Sequence, residues 1–206
     1  LIGGGTGMIG DPRPTTERQL LNDAQLERNV LGLAKQIEHI LTSDNNPVQI
    51  VNNFEWLKDL TVLDFLRDYG KFFSVGNMIA KDTVAKRLDS GISFTEFSYT
   101  ILQAIDFNYL YQRYNVELQI GGSDQWGNLV SGTDLIRRIH GSEVSVFGVT
   151  SPLITKADGT KFGKSEGANV WLDPELTSPY DFYQFFINTS DTDVMNFMKR
   201  LSMKTP

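Results

Sequence analysis

The stretch that decides the fold is LQIGGSDQWGN, residues 118–128. An apolar run from Val116 to Ile120 ends at two glycines, and Ser123-Asp124 follows where the N-cap of a helix belongs. The pattern predicts a strand, a glycine turn and a helix. Ligands bind at the carboxyl end of such strands in α/β proteins, because glycine lets the backbone approach closely and the helix start offers free N–H groups. We therefore expect Asp124 and Gln125 to face a ligand, the alternative being an ordinary turn in which Asp124 only caps the helix.

The N-terminal half alternates between helical and strand-like segments. Asn22 and Gln25 form a capping box ahead of a helical apolar pattern that continues to Ile40. Residues 48–51 (VQIV) are typical of a strand, and residues 61–69 of a short helix that ends at a glycine. This order of helix, strand and helix predicts an α/β fold with a parallel sheet.

Composition narrows the class of protein. The 206 residues are 40% hydrophobic and 11% aromatic, which is enough for one sizeable core or for a domain and part of another. A net charge of −6 argues against an autonomous nucleic-acid binder, so any RNA contact must be local or come from parts outside these residues. The absence of cysteine excludes disulfides and thiolate zinc sites, and two separate histidines, His39 and His140, argue against a metal centre. With no membrane-length apolar run and no signal-peptide pattern, we expect a cytoplasmic protein.

A polar stripe marks one long predicted helix. Ser93 and Glu96 form a capping box, and the helix is predicted to run toward Tyr114. Within an arc of roughly 60° on one face lie Tyr99, Gln103 and Asp106. The opposite face is apolar and consists of Phe94, Phe97, Ile101, Ala104 and Ile105. Apolar flanks predict burial, and an unpaired buried polar group costs about 1–3 kcal/mol, so the stripe needs a polar ligand or a buried water network.

Two further stretches have compositions suited to ligand binding. Residues 3–12 (GGGTGMIGDP) crowd five glycines into eight positions, and Asp11 closes them either as a ligand-binding acid or as a turn residue before proline. Residues 160–167 (TKFGKSEG) place Lys161 and Lys164 on a loop bounded by glycines, either as ordinary surface lysines or as phosphate-binding charges.

Segments around these stretches complete the prediction of secondary structure. Residues 72–91 have a broken helical pattern whose apolar side chains form either a partner surface or ordinary core. Residues 152–154 are typical of a short strand. Ser178-Pro179 indicates the start of a helix, and Asp191 the cap of another.

The chain resembles the class I tyrosyl-tRNA synthetases through three motifs that follow one another in sequence: the polar stripe of Tyr99, Gln103 and Asp106, the stretch at residues 118–128 and the loop at residues 160–167. The resemblance covers essentially the whole chain. It implies a Rossmann-like parallel sheet with flanking helices in residues 1–173, a helical insertion at roughly 70–114, and the start of an all-α anticodon-binding domain in residues 174–206. It also implies that the first strand and the family's His-x-Gly-His motif precede residue 1. Residues 1–206 alone should therefore be inactive.

The resemblance implies a role for each candidate residue. For tyrosine, the implied binding residues are Asp11, Tyr99, Gln103, Asp106, which would accept from the phenol hydroxyl, and Gln125. For ATP they are Thr6, Gly122, Asp124, Lys161, Lys164 and Ser165, with Lys161, Lys164 and Arg18 as the catalytic charges. Two departures stand out: the loop at residues 13–18 (RPTTER) lacks the family's lysine, for which Arg13 is a possible substitute, and Ile105 replaces a common aromatic residue.

The implied reaction is the activation of L-tyrosine by ATP with Mg²⁺, followed by transfer of the tyrosyl group to tRNA(Tyr). The insertion, up to the region of Phe94, would form a homodimer interface. One alternative is the tryptophanyl relative, which should lack an acid placed for a phenol, so that Asp106 argues against it. A non-catalytic RNA-binding relative is the other, but it should lose the loop lysines or the polar stripe, and both are present here.

Overall fold

The computed structural model describes residues 1–12, 19–42, 45, 47–156, 159, 162, 164–165 and 168–202, with backbone alone for residues 83, 164–165 and 168–169. The chain forms two compact units, Leu1–Ser151 and Pro152–Pro206. The domain boundary predicted after residue 173 stays a prediction.

The sheet of the first unit is parallel, as the sequence predicted. Strand β1 (Leu118–Gly122) pairs with β2 (Phe147–Ser151), and a parallel bridge joins Ile2 to Asn52. The prediction of a strand at residues 48–51 is wrong, because among the described residues this segment forms no strand and pairing is limited to the bridge at Asn52, the next residue. The short strand predicted at 152–154 is also wrong, since the pairing with β1 stops at Ser151.

Helix α1 (Asp23–Leu41) confirms the predicted capping box. The Asn22 side chain accepts from the backbone N–H of Gln25, and the Gln25 side chain accepts from the backbone N–H of Asn22. Both bonds satisfy donors that a helix start otherwise leaves open.

The core of the unit forms between α6 (Phe94–Tyr114) and α7 (Trp126–His140). Buried side chains of α6 meet Leu135 of α7 in one cluster, and Phe107 packs with Ile136 in a second. The two helices approach closely at Gly132, where an added Cβ would lie 2.9 Å from the Phe107 ring. Phe94, assigned to the apolar face by its spacing, is 69% exposed, because it lies at the end of the helix beyond this contact.

Ser93 is the N-cap of α6, as predicted, and its hydroxyl accepts from the backbone N–H of Glu96. The Glu96 carboxylate forms a buried ion pair with Arg87 at 3.0 Å. After β1 the chain makes a 3₁₀ turn from Ser123 to Gln125 before α7 begins, and Gln125 holds the N-cap position. The prediction of Asp124 as the cap is wrong, because that residue lies inside the added turn.

Short helical pieces lead from the Asn52 bridge to α6: α2 (Phe54–Leu57), α3 (Val62–Asp64), a π-helical turn at Phe65–Tyr69, α4 (Val75–Ile79) and α5 (Asp82–Ala85). Within the insertion predicted at roughly 70–114, Met78 is buried, and Phe72 and Phe73 pack against its cluster, so part of that segment is ordinary core. Apolar side chains just before it are exposed, including Val62, Leu63 and Leu66.

In the second unit, β3 (Lys164–Ser165) pairs antiparallel with β4 (Ala168–Asn169). Helix α8 (Pro179–Ile187) begins as predicted, with Ser178 as N-cap and proline at its first position. Helix α9 (Asp191–Leu201) is capped by Ser190, one residue before the predicted cap. Aromatic rings hold the unit together, with Phe162 at 4.8 Å from Phe197. In the described parts of both units, none of the helices has the length and apolar character needed to cross a membrane.

Candidate active site

A cavity of about 590 Å³ lies between α6, β1 and the glycine-rich turn. Its lining includes five of the predicted site residues, namely Thr6, Tyr99, Gln103, Asp106 and Gln125. Apolar walls come from residues of α6 and β1, including Phe107, Leu110 and Ile120. The polar stripe of α6 therefore lies along a space suited to a small molecule with both polar and aromatic parts.

Asp106 is the buried acid of this cavity, with 2% of its surface exposed. Asn53 Nδ2 donates to Asp106 Oδ2 at 2.8 Å, and Trp56 Nε1 donates to Asp106 Oδ1 at 2.9 Å. Burial raises the pKa of Asp106 to about 6, while these two hydrogen bonds act to lower it. Each carboxylate oxygen keeps acceptor capacity for a ligand hydroxyl.

Asn53 ties the acid to the glycine-rich turn. The side chain is fully buried; its oxygen accepts from the backbone N–H of Gly5 at 2.7 Å, and Nδ2 donates to Thr6 Oγ1 at 2.9 Å as well as to Asp106. Glycine at position 5 suits this approach, because a Cβ there would lie 3.3 Å from Asn53 Oδ1 and 3.1 Å from Leu57 Cδ1. One amide group thus links the turn directly to Asp106.

Asp11 joins the cavity through a second network. Gln125 Nε2 donates to Asp11 Oδ2 at 2.9 Å, and Asn128 Nδ2 lies 3.3 Å from Asp11 Oδ1 and 3.2 Å from Gln125 Oε1. The glycine-rich turn and the start of α7 are therefore linked by three side chains. The carboxylate of Asp11 faces this network rather than serving only its own turn.

Lys81 connects the insertion to both helices of the core. Its ammonium donates to Thr100 Oγ1 of α6 and, on α7, to the Gly127 carbonyl at 3.0 Å and Ser131 Oγ at 2.8 Å. Burial lowers the pKa of Lys81 to about 8, against the opposing effect of Asp11 and Asp134. The charge thus fixes the backbone immediately beside the Gln125 and Asn128 network.

Sequence reasoning missed Asn53, Trp56, Lys81 and Asn128. A usable signal existed for Asn53, because a polar pair follows the strand-like run at 48–51, where the carboxyl end of a parallel strand presents ligand-binding side chains. Asn128 lies one helical turn after Gln125 in the stretch already singled out at residues 118–128. Trp56 and Lys81 are distant in sequence from their partners, and nothing in their local pattern distinguishes them from surface residues.

The remaining predicted residues are only partly placed. Gly122 ends β1, and Asp124 is exposed in the 3₁₀ turn that follows. Arg18 and Lys161, with Arg13, lie outside the described residues. Lys164 and Ser165 form β3, with backbone alone described. In the described part of the chain, no group of three or more His, Cys, Asp or Glu residues is arranged to hold a metal ion.

Two solved structures share the fold of this chain. A C-terminally truncated mitochondrial tyrosyl-tRNA synthetase from Coccidioides posadasii superposes with a TM-score of 0.74 at 31% identity, covering 98% of this chain and 60% of that one. The corresponding protein from Aspergillus nidulans gives a TM-score of 0.75 at 28% identity, covering 98% and 61%.

Comparison of sequences gives closer relatives. The tyrosine--tRNA ligase of Limosilactobacillus fermentum is 59% identical over 200 residues, covering 97% of this chain and 48% of the relative. Tyrosine--tRNA ligase 2 of Bacillus cereus (strain ZK / E33L) is 55% identical over 207 residues, covering 100% and 49%. The chain thus spans about half the length of these relatives. Residues 1–206 match in full the family described as "tRNA synthetases class I (W and Y)", and the chain belongs to that family.

Proposed function

We propose that the chain forms the tyrosine-activating part of an enzyme that charges tRNA(Tyr). The observation that carries the proposal is the buried Asp106, held by Asn53 and Trp56 with acceptor capacity toward the cavity. A phenol hydroxyl can donate to this carboxylate, whereas phenylalanine would leave the acid without that donor. Sites that pair a substrate hydroxyl typically reject the analogue without it by about 10⁴–10⁵, a range for which tyrosyl-tRNA synthetase is itself the known example.

The amino-acid end of the substrate would lie toward the other polar residues. Asp11, Tyr99 and Gln103 supply acceptors for the α-ammonium group. Gln125, whose amide now donates to Asp11 at 2.9 Å, is close enough to turn toward the substrate carboxylate. This assignment runs the tyrosine along α6, with its hydroxyl at Asp106 and its reacting end near the start of α7.

The chemistry needs positioning and charge rather than a protein nucleophile. A carboxylate oxygen of tyrosine attacks the α-phosphorus of ATP, the bond to the bridging oxygen breaks, and pyrophosphate leaves with the electron pair. ATP enters as its Mg²⁺ complex, which we treat as the substrate. Thr6, Gly122 and Asp124 would contact the nucleotide.

The charged loop and its neighbour would act on the leaving pyrophosphate. Lys161 and Lys164, with Ser165 and Arg18, would stabilise the negative charge that builds there.

We place the acceptor tRNA and the cell compartment in the same proposal. The acidic chain offers little non-specific attraction for RNA, so residues 174–206 are proposed as the start of a helical domain that supplies anticodon contacts. Charging of tRNA serves translation, which gives the cytoplasm as the site of action.

Exposed apolar side chains at the edge of the insertion and just before it support a homodimer. A groove of about 550 Å³ is lined by Phe54, Val62, Leu66 and Phe94, together with Met8 of the glycine-rich turn. Val62 is 73% exposed and Phe94 69% exposed. Contiguous apolar surface of this kind marks a protein interface, and we propose a second copy of the chain as its occupant.

Amino-acid-dependent ATP–pyrophosphate exchange by the full-length protein tests the proposal directly. We expect exchange with tyrosine and much weaker exchange with phenylalanine. Exchange with tryptophan should also be weaker than exchange with tyrosine. Exchange driven as well by tryptophan would place the protein in the tryptophan branch of its family. Absence of exchange with every amino acid would refute the enzymatic assignment.

A further inference from the structure

The indole of Trp56 holds one oxygen of Asp106 from an unusually short element. Helix α2 (Phe54–Leu57) has four residues, and helices of that length have no stability of their own. The direction of the indole N–H therefore depends on the side chains that pack around the ring.

Tyr109 supplies such a contact. Its ring stacks on that of Trp56 with centroids 4.2 Å apart and planes inclined by 14°. Tyr109 lies on α6 three residues after Asp106, so the ring that positions the indole and the acid that receives its hydrogen bond belong to the same rigid helix. The stack, the indole N–H and the carboxylate form a closed path from α6 to α2 and back to α6.

We propose that Tyr109 is a specificity-determining positioning residue, which acts through Trp56 to hold Asp106 ready for the substrate hydroxyl; the role rests on the proposed function. Tyr109 is not among the residues that line the cavity, so its effect on the substrate is indirect. Without the stack the indole is free to turn, and the hydrogen bond to Asp106 Oδ1 loses its alignment.

Loss of that bond also changes the charge of the site. The bond from Trp56 is one of the contacts that lower the pKa of Asp106, so its loss should raise the pKa of that carboxyl further above its ordinary value. The groups that face it are Asn53 and Trp56, from the cap of α2 and from α2 itself. Among the described residues that line the cavity, none is Glu, Lys, Arg or His, and Asp106 is the one Asp.

The test compares Tyr109→Ala with Tyr109→Phe in the full-length protein. We expect Tyr109→Ala to lower the ratio of kcat/KM for tyrosine over phenylalanine by about 2- to 10-fold, as for the loss of one aromatic stack. It should also move the acidic limb of the tyrosine profile to higher pH. Tyr109→Phe keeps the ring and should keep both properties. An unchanged ratio in Tyr109→Ala, or an equal loss in Tyr109→Phe, would overturn the proposal.

Two further variants separate positioning from general damage to α6. Tyr111→Ala makes the same truncation two residues along the helix, where the ring packs against His140, and should leave the ratio unchanged. In a Trp56→Phe background, which lacks the N–H donor, Tyr109→Ala should have no additional effect on the ratio. Equal losses in Tyr111→Ala, or full additivity with Trp56→Phe, would contradict action through the indole. Should Tyr109→Ala fail to fold, Tyr109→Leu provides the same comparison.

A readout that needs no catalysis distinguishes this inference from the proposed function. Hydrogen exchange of the Trp56 indole N–H, followed by NMR, should be faster in Tyr109→Ala than in the wild type and Tyr109→Phe. A wild type that fails to activate tyrosine would refute the function, while this exchange pattern would still support positioning by Tyr109. Equal exchange in all three proteins would refute the positioning role itself.

Discussion

At Asp106 the same two donors that hold the carboxylate also set its charge. Burial raises the pKa of the carboxyl, and the hydrogen bonds from Asn53 and Trp56 oppose that effect. In the proposed function, this carboxylate would accept one hydrogen bond from the substrate hydroxyl. Discrimination at Asp106 would then depend on that hydrogen bond and on the desolvation of the two groups.

Replacing Asp106 with Asn should reduce discrimination between tyrosine and phenylalanine. The amide keeps the size of the side chain but removes the charge, so the tyrosine-specific kcat/KM should fall by about 10- to 100-fold, and phenylalanine activation should change far less. Pyrophosphate exchange with both amino acids measures the ratio. Asp134→Asn, the same change at an exposed acid outside the cavity lining, serves as the control. A folded Asp106→Asn enzyme with full discrimination would mean that the acid does not read the hydroxyl.

The raised pKa of Asp106 also predicts a pH dependence of stability. The folded protein binds more protons at this group than the unfolded chain does between pH 3.8 and about 6, so the free energy of unfolding falls as pH rises through that window. The shift corresponds to about 3 kcal/mol, present at low pH and lost above about pH 6. Urea unfolding of the wild type and Asp106→Asn measures it as the difference between their pH profiles. Parallel profiles would show that the acid has an ordinary pKa.

At the scale of elements, the start of α2 is where three parts of the fold meet. Asn53→Ala would leave the Gly5 N–H, Thr6 Oγ1 and Asp106 without their shared partner, and we expect destabilisation of about 2–4 kcal/mol. Asn52→Ala, the same change next to it, removes bonds to Gly4 and Phe54 that are less buried, and should cost about 1 kcal/mol. Chemical denaturation of the two variants gives both values. Equal costs would remove the special role of Asn53.

Elements differed in how far their sequence determined them. Helix α6 was predictable, because twenty-one consecutive residues carry a cap and a polar stripe, and Tyr99, Gln103 and Asp106 duly line one cavity. The partners of Asp106 were not, since Asn53 and Trp56 lie about fifty residues away in an element of one turn. Local patterns record faces of long helices; they carry no information on which distant side chain meets a buried oxygen.

At the scale of the whole molecule, the proposed dimer depends on the apolar groove of about 550 Å³ that Phe94 helps to line. Phe94→Lys places a charge in that groove and should weaken self-association by about tenfold or more. Sedimentation equilibrium of the full-length protein measures the dissociation constant. Leu31→Lys on α1, an exposed leucine outside the groove, is the matched control. A Phe94→Lys protein with the same dissociation constant as the wild type would place the interface elsewhere.

The share of the relatives that the chain covers gives a prediction about activity. Because the chain spans about half their length, we predict that residues 1–206 alone do not form tyrosyl-adenylate. Single-turnover assays with the isolated chain and the full-length protein compare the two, and circular dichroism shows whether the isolated chain folds. Adenylate formation by the isolated chain at a rate near that of the full-length protein would contradict this prediction.

The buried ion pair between Arg87 and Glu96 has a consequence for temperature. Both side chains are almost completely buried, at 5% and 1% exposure, and they join the segment after α5 to the first turn of α6. Hydration of charged groups becomes less favourable on warming, so the desolvation penalty of such a pair shrinks with heat. The contribution of this pair to the junction between α5 and α6 should therefore be at least as large at high temperature as at low temperature.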